Sequence, residues 1–194
     1  MTEKNPSGGI LNIDVLSFTR LTHRIFKEVG RPQRIPLNDL GKCLILRRVI
    51  NEHEADLKIL KKGIHTPGYV EEIKSVLSEF MQYGIRPNDL SKDIESMNIS
   101  PALRYKLKDF SVLYKAFEQA LEEKYTTGEE DLYCLMERIP RSGLLKRSVL
   151  VFDGFTGFTP LQISVIGTLL EYTKKIIITL PLGLEEFEKS PLGG

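Results

Sequence analysis

A short apolar run that ends in an acidic residue is the first feature of this sequence that could do chemistry. Residues 149–153 read Val-Leu-Val-Phe-Asp, which is the Walker B form: a buried strand followed by an aspartate. Ligands of parallel α/β sheets bind at the carboxyl edge of the strands. A carboxylate there can hold Mg²⁺, usually through water, beside nucleotide phosphates. The alternative is a structural role, in which Asp153 forms the turn before Gly154.

The residues after Asp153 make this pattern more specific. Residues 153–162 read Asp-Gly-Phe-Thr-Gly-Phe-Thr-Pro-Leu-Gln. They resemble motif II of the UvrD/Rep-type superfamily 1 helicases, which reads Asp-Glu-Phe-Gln-Asp-Thr-x-x-x-Gln. Asp153, Phe155 and Gln162 match this motif without gaps, whereas the catalytic Glu of those helicases falls on Gly154. The segment is therefore a degenerate form of the motif.

The glycine at position 154 has a direct chemical meaning. Hydrolysis of a nucleoside triphosphate needs a carboxylate that orients and deprotonates the attacking water, and glycine has no side chain. Asp153 cannot be that base while it binds a metal. The sequence also has no GxxxxGK[ST] loop for phosphates, and residues 6–9 (Pro-Ser-Gly-Gly) lack the lysine. We predict no catalytic residue, no ATP hydrolysis and no cofactor in this chain, with Asp153 as the one candidate ligand for Mg²⁺.

A second segment, residues 14–24, resembles motif Ib of the same helicases. In that motif a strand ends in Thr-Phe-His-Ser and enters a helix, and the segment contacts the backbone of single-stranded DNA. Hydroxyl groups, free amides at a helix N-terminus and arginines are suited to phosphate contacts. The candidate DNA-binding residues are Ser17, Phe18, Thr19, Arg20 and Arg24. Two alternatives stay open, because Ser17 could be a plain helix cap and Phe18 a core aromatic residue.

The two motifs, together with residues 40–42 and 82–90, make the chain similar to the AddB family, the B subunits of bacterial AddAB helicase–nucleases. The resemblance covers residues 10–182 and implies the N-terminal helicase-like region of a longer protein. It implies a heterodimer with an AddA-type subunit that acts on DNA ends and single strands in double-strand-break repair and Chi-linked recombination. For the full-length family protein it also implies ATP, Mg²⁺ and an iron–sulfur cluster.

The segments around these motifs show two kinds of hydrophobic pattern. Residues 10–16, 148–152 and 175–180 are apolar runs typical of buried strands, whereas the intervening block from residue 31 shows helical periodicity throughout. The predicted fold class is α/β: a partial parallel sheet of a P-loop/RecA-like helicase domain with an all-helical subdomain inserted. We predict the following parts: 1–9, a disordered lead-in; 10–30 and 147–182, one RecA-like domain; 31–146, the helical insert; 183–194, a loose tail.

Composition restricts the function classes. The 194 residues carry 27 basic and 26 acidic side chains, so any DNA contact must come from local patches and not from a global basic field. Cys43 and Cys134 are predicted to be buried free thiols, because no metal-binding cluster of Cys and His occurs in the sequence. The sequence contains no apolar run of about 18 residues, from which we expect no membrane partner and a cytoplasmic location.

Two other functions stay open at this point. The helical block could be a docking module for protein partners in a larger complex, which is compatible with DNA guidance in a heterodimer. The chain could also be an active hydrolase in which Asp153 binds metal and the base lies elsewhere, at Glu171 or at Glu129 and Glu130. Nothing in the sequence places those glutamates near Asp153.

Overall fold

A computed structural model describes residues 13–122 and 124–181, without the side chains of residues 93, 95 and 96. The predicted lead-in at 1–9, the start of the predicted first strand at 10–12 and the predicted tail at 183–194 lie outside the described residues.

The described residues contain seven α-helices and four short strands. The helices are α1 (Phe18–Val29), α2 (Asp39–Glu52), α3 (Tyr69–Gln82), α4 (Pro87–Ser96), α5 (Pro101–Leu121), α6 (Gly128–Arg138) and α7 (Pro160–Tyr172). The strands are β1 (Ile35–Pro36), β2 (Tyr125–Thr126), β3 (Val149–Phe152) and β4 (Lys175–Ile178). Turns of 3-10 helix cover Glu54–Asp56, Leu60–Gly63, Ile139–Arg141 and Leu145–Arg147.

Local chemistry sets most of the helix boundaries. Helices α1, α2 and α5 have the N-caps Ser17, Asn38 and Ser100, because each side chain accepts a hydrogen bond from a backbone amide of the first helical turn. Pro101 occupies the first position of α5, where a missing N–H costs nothing. Gly30 ends α1 with φ of 95°, a backbone conformation that favours glycine.

Strands β3 and β4 pair in parallel and are joined by α7, which forms a βαβ unit. Their register runs from Val149 opposite Lys175 to Phe152 opposite Ile178. The prediction of a third strand at residues 10–16 is wrong for its described part, since residues 13–16 are not paired with any strand. Here the segment folds back along α1, and Asp14 forms an ion pair with Arg24 at 3.1 Å.

The expectation that β3 is covered on both faces is also wrong for the described residues. Leu150 and Phe152 point toward the core formed with α1, α6 and α7. Val149 and Val151 alternate with them and stay 53% and 58% exposed. The chain is therefore mostly helical α/β, and its described residues form two parallel sheets of two strands each, whereas a RecA-like domain was expected.

The block predicted to contain helices alone also contains a strand pair. Ile35 lies opposite Tyr125 and Pro36 opposite Thr126 in a parallel pair, β1 with β2, which joins the two ends of the helical block. Two residues per strand are too few for the apolar alternation that identifies a strand in sequence.

The side chains pack into two cores. The first core lies among α2, α3, α4 and α5. The second joins α1, α6, α7 and β3, so that Leu135 of α6 and the adjacent Ile139 pack with the α/β part. The domain boundaries at residues 31 and 146 stay predictions. Cys43 and Cys134 are free and half-buried, and burial raises the pKa of both thiols.

Candidate nucleic-acid interface

Asp153 lies at the carboxyl end of β3, as predicted, beside the end of β4. Its Oδ1 accepts a hydrogen bond from Thr179 Oγ1 at 2.5 Å, and the amide of Thr179 donates to the Phe152 carbonyl at 3.0 Å. The carboxylate is exposed to solvent. Asp153 is thus held at the edge where ligands of parallel sheets bind, with one oxygen already engaged by the neighbouring strand.

Gly154 adopts a positive φ of 76°, which non-glycine residues rarely take. A Cβ at this position would have no neighbour within 4 Å, so space is not the constraint. The backbone itself therefore disfavours the glutamate that motif II carries here. The role of Asp153 as a turn residue stays a prediction.

Four phenylalanines connect the two motifs in space. Phe18, the first residue of α1, lies 5.6 Å from Phe152 and 5.8 Å from Phe155 between ring centroids. Phe155 stacks on Phe158 at 4.9 Å. Phe18, Phe155 and Phe158 are half-buried, so Phe18 is partly a core residue while the cluster still reaches the surface.

The first turn of α1 carries the predicted DNA-binding residues. The Ser17 hydroxyl oxygen accepts a hydrogen bond from the Arg20 amide at 3.3 Å, which makes Ser17 an N-cap. Thr19 and Arg20 are exposed. Within the part of the chain that the structure describes, the Arg20 side chain forms no hydrogen bond and no ion pair. Arg24 differs, since its charge is balanced by Asp14.

A cleft of about 210 Å³ opens beside this turn, where the N-terminal ends of α1, α6 and α7 converge. Phe18 and Thr19 line it from α1, and Gln162 lines it from α7. The carboxylates of Glu129 and Asp131 also line the cleft. Each of these carboxylates is paired with a cation inside the protein, Glu129 with Lys42 and Asp131 with Arg31. The exposed residues of this turn, Thr19 and Arg20, are of the types that contact a DNA backbone.

Gln162 has a structural role that motif matching alone did not reveal. Its Oε1 accepts from the Thr159 amide at 3.0 Å, and its own amide donates to Thr159 Oγ1 at 3.3 Å. This reciprocal pair is a capping box that starts α7. The spacing of Thr159 and Gln162 is the sequence signal for it.

A metal site at Asp153 stays a prediction. Among the described residues, no group of three or more His, Cys, Asp or Glu side chains could hold a metal ion. A cation at Asp153 would therefore draw its remaining ligands from water and phosphate, as Mg²⁺ often does. Thr179 is the neighbour that sequence reasoning missed, because only strand pairing brings it to Asp153.

The arrangement is a parallel βαβ unit of β3, α7 and β4, and the segment that follows β3 packs against the start of α1. The family model described as ADDB, N-terminal, matches residues 1–192, and the chain belongs to this family.

Several curated relatives are named as the B subunit of an ATP-dependent helicase/deoxyribonuclease. The relative from Lachnoclostridium phytofermentans is 39% identical over 178 residues, which cover 92% of this chain and 16% of the relative. That from Alkaliphilus oremlandii is 36% identical over 93% of this chain and 16% of its own length. That from Staphylococcus aureus is 30% identical over 89% and 15%. The chain thus spans about one-sixth of the length of these relatives.

No helix in the described residues has the length and apolar character needed to cross a bilayer.

Proposed function

We propose that this chain is a non-motor, helicase-like segment of a DNA-processing helicase–nuclease subunit, and that it guides single-stranded DNA along the first turn of α1. The observation that carries the proposal is the exposed Arg20, which has no partner among the described side chains and lies in the same first turn of α1 as Phe18. Arginine binds phosphate through paired N–H groups, and half-exposed aromatic rings can contact bases.

The helix N-terminus adds to this surface. The first amides of a helix have no partner within it and carry a partial positive charge, which favours phosphate. Ser17 caps the Arg20 amide, whereas Phe18 and Thr19 contribute the earlier amides of the turn. Arg24 is a weaker candidate than Arg20, because Asp14 already offsets its charge.

Arg20→Ala is expected to weaken binding of a single-stranded oligonucleotide and to reduce the salt slope of log K by about 0.7, the value for one lost phosphate contact on single strands. Fluorescence anisotropy across a salt series measures both quantities. Lys27→Ala, an exposed cation in the last turn of the same helix, is the matched control and should leave the slope unchanged. Equal affinity of the wild-type chain for single- and double-stranded DNA would remove this proposal.

We further propose that the chain does not hydrolyse ATP. A phosphate-release assay should read background, and Gly154→Glu should not create turnover, because the positive φ disfavours the new residue by about 1–2 kcal/mol and no phosphate-binding loop accompanies it. Turnover that Asp153→Asn abolishes would contradict this and would support a base at another position.

The biology of the whole protein extends this proposal. The relatives are named as subunits, and we propose that the chain works with an AddA-type partner on DNA ends in break repair and Chi-linked recombination. Mg²⁺, ATP and the iron–sulfur cluster belong to the proposed full-length complex. The alternative function, a docking module in the helical block, has in its favour two apolar residues of α2 one turn apart, Leu40 and Leu44, which are 67% and 62% exposed. A heterodimer accommodates both functions.

A further inference from the structure

The helical block contains a pocket of about 270 Å³ that lies far from the motifs in sequence. It opens between α2, the segment that follows the 3-10 turn Leu60–Gly63, and the start of α3. Its lining residues are Arg47, Ile50, Asn51, Ile64, His65 and Val70.

The apolar side of the pocket is rigid. Ile50 and Val70 are 1% and 6% exposed and belong to the first core. Ile64 follows the 3-10 turn, whose start is fixed by backbone hydrogen bonds to the buried Asp109 carboxylate. Pocket walls that belong to a core are held in place before a ligand arrives, which reduces the entropy lost on binding.

The polar side of the pocket has no internal partners. Arg47 and Asn51 are one turn apart on α2 and therefore lie on the same face of the helix. Within the described residues, the side chains of Arg47, Asn51 and His65 form no hydrogen bond and no ion pair.

Nearby residues of the same types are paired. Arg48 Nε lies 3.6 Å from Glu52 Oε1, and His53 Nδ1 lies 3.1 Å from Asp56 Oδ2. The three polar groups at the pocket are thus available to a ligand, whereas their neighbours are engaged by carboxylates.

We propose that this pocket binds one nucleotide, with its phosphate at Arg47 and its base against Ile64, the half-buried apolar residue of the lining. A guanidinium holds phosphate in a bidentate manner. Asn51 and His65 offer hydrogen bonds to the edge of an unstacked base, as protein side chains do with single-stranded nucleic acids. The volume falls just below the roughly 300–1,000 Å³ of drug-sized ligand sites, which is the scale of one nucleotide.

Charges of both signs lie next to the pocket in sequence, and Glu71 and Glu72 follow Val70 in the first turn of α3. Lys61 and Lys62 stand in the 3-10 turn directly before Ile64, and both are exposed. Under the proposed function the nucleotide belongs to a single strand, so this inference rests on that function. A free nucleotide has the same phosphate and base groups as a nucleotide within a strand. The experiment therefore tests both kinds of ligand separately.

The test uses the 194-residue chain with a fluorescent single-stranded oligonucleotide and, separately, with deoxyadenosine monophosphate. Arg47→Ala is expected to weaken oligonucleotide binding roughly tenfold, the loss typical of one charged hydrogen-bonded contact, and to reduce the salt slope by about 0.7. Arg48→Ala is the matched control, because it removes the same charge one residue away, and should change the affinity less than twofold. Thermal unfolding of both variants checks that they fold alike.

A second readout reports on the pocket itself. In NMR titrations of the wild-type chain, the Asn51 side-chain amide and the His65 ring signals should shift on addition of the oligonucleotide, and in Arg47→Ala the same shifts should need about tenfold more ligand. Equal or larger shifts with deoxyadenosine monophosphate would support the nucleotide site and assign it to free nucleotides. No shift with either ligand would overturn the proposal.

The outcomes at the two sites are distinguishable. If Arg20→Ala weakens binding while Arg47→Ala and Arg48→Ala behave alike, the pocket proposal fails and the function proposed for α1 stands. If Arg47→Ala weakens binding and Arg20→Ala does not, the α1 path fails and the pocket stands. If the wild-type chain binds no oligonucleotide and no mononucleotide, both are overturned.

Discussion

Asp109→Ala is expected to lower the free energy of unfolding by about 3–5 kcal/mol, because it removes a buried carboxylate that several backbone donors require. Asp109 lies on α5 and is 2% exposed. Its oxygens accept from the amide of Lys58 at 3.0 Å, from that of Ile59 at 2.7 Å and from that of Leu60 at 2.9 Å. Alanine leaves these donors without a partner inside the protein, and a charged hydrogen bond contributes about 1.5–3 kcal/mol.

Chemical denaturation followed by circular dichroism measures this loss. Lys106→Ala is the matched control, since Lys106 is an exposed residue of the same helix, and it should change stability by less than about 0.5 kcal/mol. Asp109→Asn should be intermediate, because the amide keeps one acceptor oxygen but turns a donor toward the backbone amides. Equal stability of Asp109→Ala and Lys106→Ala would show that the segment at residues 58–60 does not depend on this carboxylate.

Tyr69 provides an independent readout of the same site. Its hydroxyl donates to the Leu60 carbonyl, and burial together with the negative charge of Asp109 raises the pKa of Tyr69 to about 12. In Asp109→Asn the charge is absent, so the pKa of Tyr69 should fall toward its ordinary value of 10. NMR of the ring carbons as a function of pH follows this one tyrosine.

Asp109 illustrates which parts of the fold the sequence could not predict. Helix starts at Ser17, Asn38 and Ser100 depend on residues within one turn, so their chemistry is readable locally. Asp109 instead serves backbone amides about 50 positions earlier in the chain. A polar residue in the middle of an amphipathic helix resembles any solvent-facing residue until tertiary contacts are known.

The candidate site likewise contains features that the sequence predicts and features that it does not. The position of Asp153 after a parallel strand was predictable, because the apolar run and the following helix mark a βαβ unit. The strand expected at residues 10–16 was not found at 13–16, because an apolar run becomes a strand only where another strand pairs with it. The contact of Phe18 with Phe155 required both motifs to be placed in space.

The two cores meet near the cleft beside α1, where a buried ion pair connects them. Lys42 of α2 contacts Glu129 of α6 with Nζ at 2.9 Å from Oε2. The two residues are 7% and 8% exposed. Because Glu129 also lines the cleft next to Phe18, this pair couples the helical block to the surface proposed for DNA.

Glu129→Ala is expected to lower the free energy of unfolding by about 3–5 kcal/mol near neutral pH, since it leaves the Lys42 ammonium buried without its counter-charge. Burial by itself raises the pKa of Glu129, but Lys42 and the hydrogen bonds to the carboxylate outweigh burial and hold this pKa below the ordinary value of 4.5. A lowered pKa in the folded state stabilises the protein above pH 4.5, and that stabilisation is lost as pH falls through the folded pKa. Denaturant unfolding should be measured at several pH values. The difference in free energy of unfolding between the wild-type chain and Glu129→Ala should decrease as the pH becomes acidic.

A double-mutant cycle isolates the pair from other effects of the substitution. Lys42→Met combined with Glu129→Leu should recover much of the lost stability, because a buried ion pair is often replaceable by apolar residues of similar size. The coupling energy between the two positions should be about 2 kcal/mol. Glu52→Ala breaks an exposed pair with Arg48 and should cost less than about 1 kcal/mol. If Glu129→Ala costs no more than Glu52→Ala, the ion pair is not what holds the two cores together, and the rim at Arg20 must be positioned by the apolar contacts of α6 with α1 and α7.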